Sequence, residues 1–128
     1  MTAQGEDILA WLDTAITRRE EAARDAARSY GARWVRPVGT DVVRISEDGI
    51  WFQALSDEIA EHVVCNDPQS VLRRCAADRK LIYEVRRTAE NAKNNPWDRM
   101  HGYGPYADAM LAAVKVIAEG YGWTGGER

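Results

Sequence analysis

The sequence predicts an α+β fold in a single domain over residues 1–128: a small three-stranded antiparallel sheet packed on a layer of three main helices. Three observations carry this expectation. Long stretches at the start, middle and end repeat apolar residues at helical spacing. Between residues 33 and 55 the texture changes to alternation broken by Gly and Pro. Finally, the run Asn66-Asp67-Pro68-Gln69-Ser70-Val71-Leu72-Arg73-Arg74 spells a helix start. An Asp at the cap accepts a backbone N–H, and a Pro at the first helical position gives up a donor that the helix would leave orphaned.

Taken in order, the first helix is expected from Asp7 to about Tyr30. Ile8, Leu12, Ala15, Ile16, Ala22, Ala23, Ala26 and Tyr30 fall on one arc, with Trp11 at its edge. Asp13, Thr17, Glu21, Arg24 and Arg28 occupy the opposite arc, and Gly31 is a good stop. Three strands follow, over 33–38, 41–45 and 50–55, with turns at Gly39 and at Glu47-Asp48-Gly49. A sheet this small needs a covering element, which the helices provide. Ser56 caps a short helix from Asp57 to about Cys65. The long helix runs from Pro68 to about Lys93, its apolar arc holding Val71, Cys75, Ile82, Val85, Ala89 and Ala92, and Asn94-Asn95-Pro96 ends it. A last helix opens at Pro105 or Tyr106 and reaches about Glu119. Only Asp108, Lys115 and Glu119 give it a polar stripe, so it is expected at the buried centre of the helical layer. The ends, about 1–5 and 122–128, are expected to be flexible.

Composition sets the class. At 128 residues, folding removes roughly two-thirds of the unfolded chain's surface from water, enough for a core without staples. Hydrophobic residues at 45% and charged ones at 29% describe a soluble globular protein. The net charge of −3 argues against generic affinity for nucleic acid or anionic membrane, though not against a local basic patch. Cys65 and Cys75 make no disulfide framework and read as free, buried or half-buried thiols of a reducing compartment. The first residues carry no basic segment of a signal peptide, and no apolar run approaches the roughly 18 residues of a membrane span. A cytosolic protein is the expectation.

Candidate functional residues fall in two places. Arg73, Lys80 and Arg87 stand seven apart on the long helix, opposite its apolar arc, and Gln69 to Lys93 holds seven Lys or Arg against Asp78, Glu84 and Glu90. Such a stripe suits an acidic protein partner or a phosphate backbone. The loop from Asn95 to Tyr106 concentrates Trp97, Arg99, Met100, His101 and Tyr103, mostly residue types enriched at interface hot spots. Charges also fall inside apolar arcs: Arg19 in the first helix and Asp78 in the long one, with Arg74 at its edge. Either these groups snorkel out to water from tilted helices, or Arg74 pairs with Asp78, in an arrangement shared with Arg19. His62 follows Glu58 by one helical turn. Neither it nor His101 has a nucleophile or a set of ligands in register, so no catalytic, cofactor-binding or metal-binding residue is assigned.

Ala22-Ala23-Arg24-Asp25-Ala26-Ala27 followed by Gly31 and Trp34, and then His62, Asp67-Pro68, Val71-Leu72-Arg73 and Arg79 in that order, resemble an uncharacterised family of actinobacteria and their phages. The Ala-rich last helix ending near Tyr121 adds to the likeness. Asn66 stands where a second His is usual in that family, and Asp78 where a basic residue is usual. The resemblance implies a small cytosolic accessory protein, often phage-borne, and no reaction. The expected function is non-enzymatic binding of another protein through the aromatic loop and the basic helix face. The alternative is nucleic-acid binding through the basic stripe, and self-association is a variant of the first.

Overall fold

In the computed structural model, which describes residues 3–45, 49–95 and 103–125, helices form where apolar periodicity is strongest. The order is α1 (Ala3–Tyr30), β1 (Val42–Arg44), β2 (Trp51–Gln53), α2 (Asp57–Cys65), α3 (Pro68–Asn94) and α4 (Tyr103–Gly120). The chain divides into two compact units. One is Thr17–Ala76; the other joins Met1–Ile16 to Ala77–Arg128.

In the hairpin unit, Thr17–Ala76, α1 stops at Gly31, whose φ of +83° suits a residue without a side chain. A Cβ there would also lie 3.2 Å from the Ile45 carbonyl oxygen. Among the described residues the sheet has two strands, not three: β1 and β2 pair antiparallel, with Val42 opposite Gln53, Val43 opposite Phe52 and Arg44 opposite Trp51. The expected first strand shrinks to a single bridge, in which Val35 and Arg44 exchange both main-chain bonds at 2.8 and 2.9 Å. Proline explains the loss. The next bonded pair would be residue 37 with Val42, and Pro37 has no N–H to give. The chain turns there instead, Thr40 donating to the Pro37 carbonyl from both N–H and hydroxyl.

One face of the hairpin is covered. Val43, Ala54 and Ala60 of α2 form a buried cluster, with Trp34, Ile45, Val63 and Val64 packed against it. Ser56 caps α2 as expected, its hydroxyl accepting from the Ile59 N–H at 3.2 Å. Asp67 caps α3 and does more. One carboxylate oxygen accepts from the Ser70 N–H at 2.8 Å, the other from the Trp34 N–H at 3.0 Å. The Gln69 N–H adds a bond to the Ala32 carbonyl at 2.8 Å. The start of α3 is thereby tied to residues 32–34.

In the helical unit, Ile8, Leu9, Leu12 and Ile16 of α1 are buried, as are Ile82, Val85, Thr88, Ala89 and Ala92 of α3 and Val114 and Ala118 of α4. Thr88 satisfies its hydroxyl by donating to the Glu84 carbonyl at 2.7 Å. Asp13 of α1 receives Arg86 at 2.7 Å and Arg79 at 3.4 Å. Gly122, at φ +105°, closes α4 with a reversal in which Trp123 N–H bonds back to the Ala118 carbonyl at 2.9 Å. That turn lays Trp123 edge-on against Trp11, ring centres 5.3 Å apart.

Several expectations need correction. α4 is not the buried centre of a layer: Val114 and Ala118 are buried, while Tyr106, Ala109, Ala112, Ala113 and Val116 are exposed. The Arg74–Asp78 pair does not form. Arg74 donates to the Asn66 side-chain oxygen at 2.9 Å, and Asp78 accepts from the Tyr121 hydroxyl at 2.5 Å. Arg19 is exposed, and the buried charge of that stretch is Glu20, 3.6 Å from Arg24. Neither cysteine is in a disulfide; Cys75 is buried, but Cys65 is exposed.

Candidate functional site

The residues singled out from sequence fare unequally. Trp97, Arg99 and His101 lie outside the described residues; Tyr103 opens α4, and its side chain also lies outside them. Arg73 is exposed on the part of α3 in the hairpin unit, and Lys80 and Arg87 on the part in the helical unit. Arg87 already makes two bonds to one Glu84 oxygen, at 2.7 and 3.1 Å. His62 is exposed, its carbonyl taken by the Asn66 side chain at 2.8 Å.

A more distinct surface comes from the hairpin. Side chains alternate along a strand, so residues directly opposite one another share a face. Val43 and Phe52 therefore face the covered side. Val35, Arg44 and Trp51 form a row on the other, with Val42 and Gln53 as the next pair. Trp51 on that side is 60% exposed; Leu55 and Val38, two apolar residues beyond the strand ends, are 94% and 100% exposed. All three residues of β2 are exposed.

The backbone of β2 is open as well. Main-chain bonds join Ala54 to Asp41 at 2.8 Å and Ile45 to Ile50 at 3.0 Å, which fixes the alternation of the ladder. Phe52 then faces Val43, and the N–H and C=O groups of Trp51 and Gln53 point away from β1. The sheet has two strands, so this edge carries no neighbouring strand among the described residues. An edge of unpaired N–H and C=O groups is a template for another extended chain. The side chain of Gln53 is held back along the hairpin by a 3.1 Å bond to Asp41.

Electrostatically, Asp67 is clearly perturbed. Its burial acts to raise the carboxyl pKa. The hydrogen bonds from the Ser70 side chain and from the Trp34 and Ser70 N–H groups, with the Arg73 charge, outweigh that, and the pKa lies below its ordinary value of 3.8. A carboxylate so fully engaged in holding main chain is a structural joint. In the helical unit, Glu6, Arg86, Ala89, Glu90 and Lys93 line a half-open cleft of about 300 Å³ with charges of both signs. Among the described residues no three His, Cys, Asp or Glu side chains come together as a metal site. No described helix is long and apolar enough to cross a membrane.

Sequence reasoning did not single out Trp51, because reading 50–55 as a strand did not say which of its faces is covered. The signal was present: Trp51 pairs with Arg44, and a charged partner marks the wet face.

No curated protein and no solved structure matches this chain. A family model does match, over residues 5–122, and the Asp67-Pro68 helix start and the last helix both fall within that span. The chain belongs to a family of unknown function, DUF6221.

Proposed function

We propose that this protein acts by binding another protein, without bond-making chemistry of its own, and that the open side of the β1–β2 hairpin is the contact. The observation that supports the reading is the coincidence of an unpaired edge at Trp51 and Gln53 with an exposed tryptophan and fully exposed Leu55 and Val38. The occupant is an extended segment of the partner. Main-chain bonds to Trp51 and Gln53 give affinity, and an apolar side chain of the segment packs on the Trp51 ring. Tryptophan is the residue type most often found as an interface anchor. In the accessory, phage-associated role that the sequence resemblance implies, the partner is a host protein. Nucleic-acid binding through Arg73, Lys80 and Arg87 has less support, because Glu84 already engages Arg87.

The test is selection of extended peptides from a random library on the whole protein, followed by titration of the peptides recovered. Trp51→Ala weakens their binding by about thirtyfold or more, as loss of an anchor does. Gln53→Pro also weakens it: the substitution removes an outward N–H and leaves the β1 ladder intact. His62→Ala binds as the parent does. Peptides that bind the parent and both hairpin variants equally would reject this surface.

A further inference from the structure

α4 carries a second uncovered face whose charge pattern identifies its occupant. Advancing each residue by 100° places Ala107, Met110, Leu111, Val114, Ile117 and Ala118 on one side. Among the described side chains of α4 these are the buried or half-buried ones, and Met110 meets Thr88 of α3 there at 3.6 Å. The opposite side holds Tyr106, Ala109, Ala112, Ala113 and Val116, all exposed, with Tyr106 at 57% and Val116 at 66%. Along one flank of this apolar stripe run Asp108, Lys115 and Glu119, also exposed.

We infer that this face pairs with the same face of a second copy, α4 against α4, antiparallel, with the two-fold axis passing between Leu111 and Ala112. The charges dictate the direction. Asp108 and Lys115 lie two turns apart on the same flank, and in an antiparallel pair like flanks meet. With the axis so placed, Asp108 of each copy stands opposite Lys115 of the other, and the symmetry makes this contact twice. A parallel pair would leave both charges without a partner across the seam. The side-chain sizes fit the same register. Ala109, Ala112 and Ala113 lie near the axis, where small residues let helix axes approach to about 8 Å. Val116 of each copy falls beside Tyr106 of the other. Glu119 falls over the first turn of the opposing helix, where the unsatisfied N–H groups favour a negative charge. The stripe is about 15 residues long, or roughly 20 Å, so the dimer belongs to the small, concentration-dependent class.

This contact is separate from the hairpin surface, and either can fail without the other. Sedimentation equilibrium of the full chain, over rising concentration at low salt, shows a monomer–dimer equilibrium. Asp108→Lys and Lys115→Asp each weaken association by about tenfold, since each sets two like-charge contacts where two ion pairs stood. The double variant Asp108→Lys/Lys115→Asp restores it, and Val116→Lys abolishes it. Circular dichroism confirms that all four keep the parent's helix content, as expected for exposed positions. A parent that stays monomeric throughout would overturn the inference. So would a dimer indifferent to the single charge reversals, or a double variant as weak as the singles.

Discussion

The hairpin unit and the helical unit treat their apolar side chains in different ways. In the helical unit the residues on the predicted arcs of α1 and α3 go inside: Ile8, Leu12, Ile16, Ile82 and Val85 are all buried. In the hairpin unit the hairpin itself buries only a small cluster around Val43, Ala54 and Ala60, apart from Ala23 and Cys75 on the helices, while Trp51, Leu55 and Val38 face water. What the hairpin lacks in apolar cover it replaces with a polar joint, Asp67, which bonds two main-chain N–H groups from separate parts of the chain. The comparison shows that hydrophobic residues of similar kind are buried in one unit and left facing water in the other. Burial and hydrogen bonding, not composition, tell the two apart.

The largest effect expected is on the helical side. Leu12→Ala empties a fully buried position and costs about 3–5 kcal/mol in urea unfolding. On the hairpin side the matching substitution is polar. Asp67→Ala removes a cap and leaves two part-buried N–H groups without acceptors, at about 2–4 kcal/mol. Hydrogen exchange then shows faster exchange at Trp34 and Ser70 first. If Asp67→Ala costs no more than a few tenths, the contrast between an apolar unit and a polar joint breaks.

Acid sharpens the same contrast. The Asp67 carboxyl titrates lower in the folded protein than in the unfolded chain, so the unfolded state takes up the proton first as pH falls. Its stabilising contribution is complete above the ordinary value of 3.8 and is lost as pH drops through the lower folded value. The stability gap between the parent and Asp67→Asn therefore closes below about pH 4. The smallest effect belongs to the surface ion pairs. Arg87→Ala, which frees the half-buried Glu84, changes the unfolding free energy by less than about 1 kcal/mol.

Much of this fold was legible in the sequence because its signals are local. The caps at Ser56 and Asp67 and the arcs of α1 and α3 depend on residues within a few turns of one another. The second bond of Asp67, to Trp34, is not local, and no spacing rule reveals it. The third strand was lost to one missing donor at Pro37, which matters only once the register with β1 is known. For α4, sequence shows a helix apolar nearly all round, but not how many neighbours cover it; one side is covered and the other is not. The candidate site was least legible for the same reason. The face Trp51 takes is open in the sequence until its pairing with Arg44 places it on the wet side.

The claim that joins these points is that the outward apolar residues of the hairpin contribute little to folding. Urea unfolding of Trp51→Ser/Leu55→Ser, set beside Val43→Ala, tests it most directly. Val43 is fully buried, and its truncation costs about 2 kcal/mol. The double variant is expected to stay within about 1 kcal/mol of the parent. A double variant destabilised as much as Val43→Ala, or more, would show that these side chains hold the fold together and are not free for a partner.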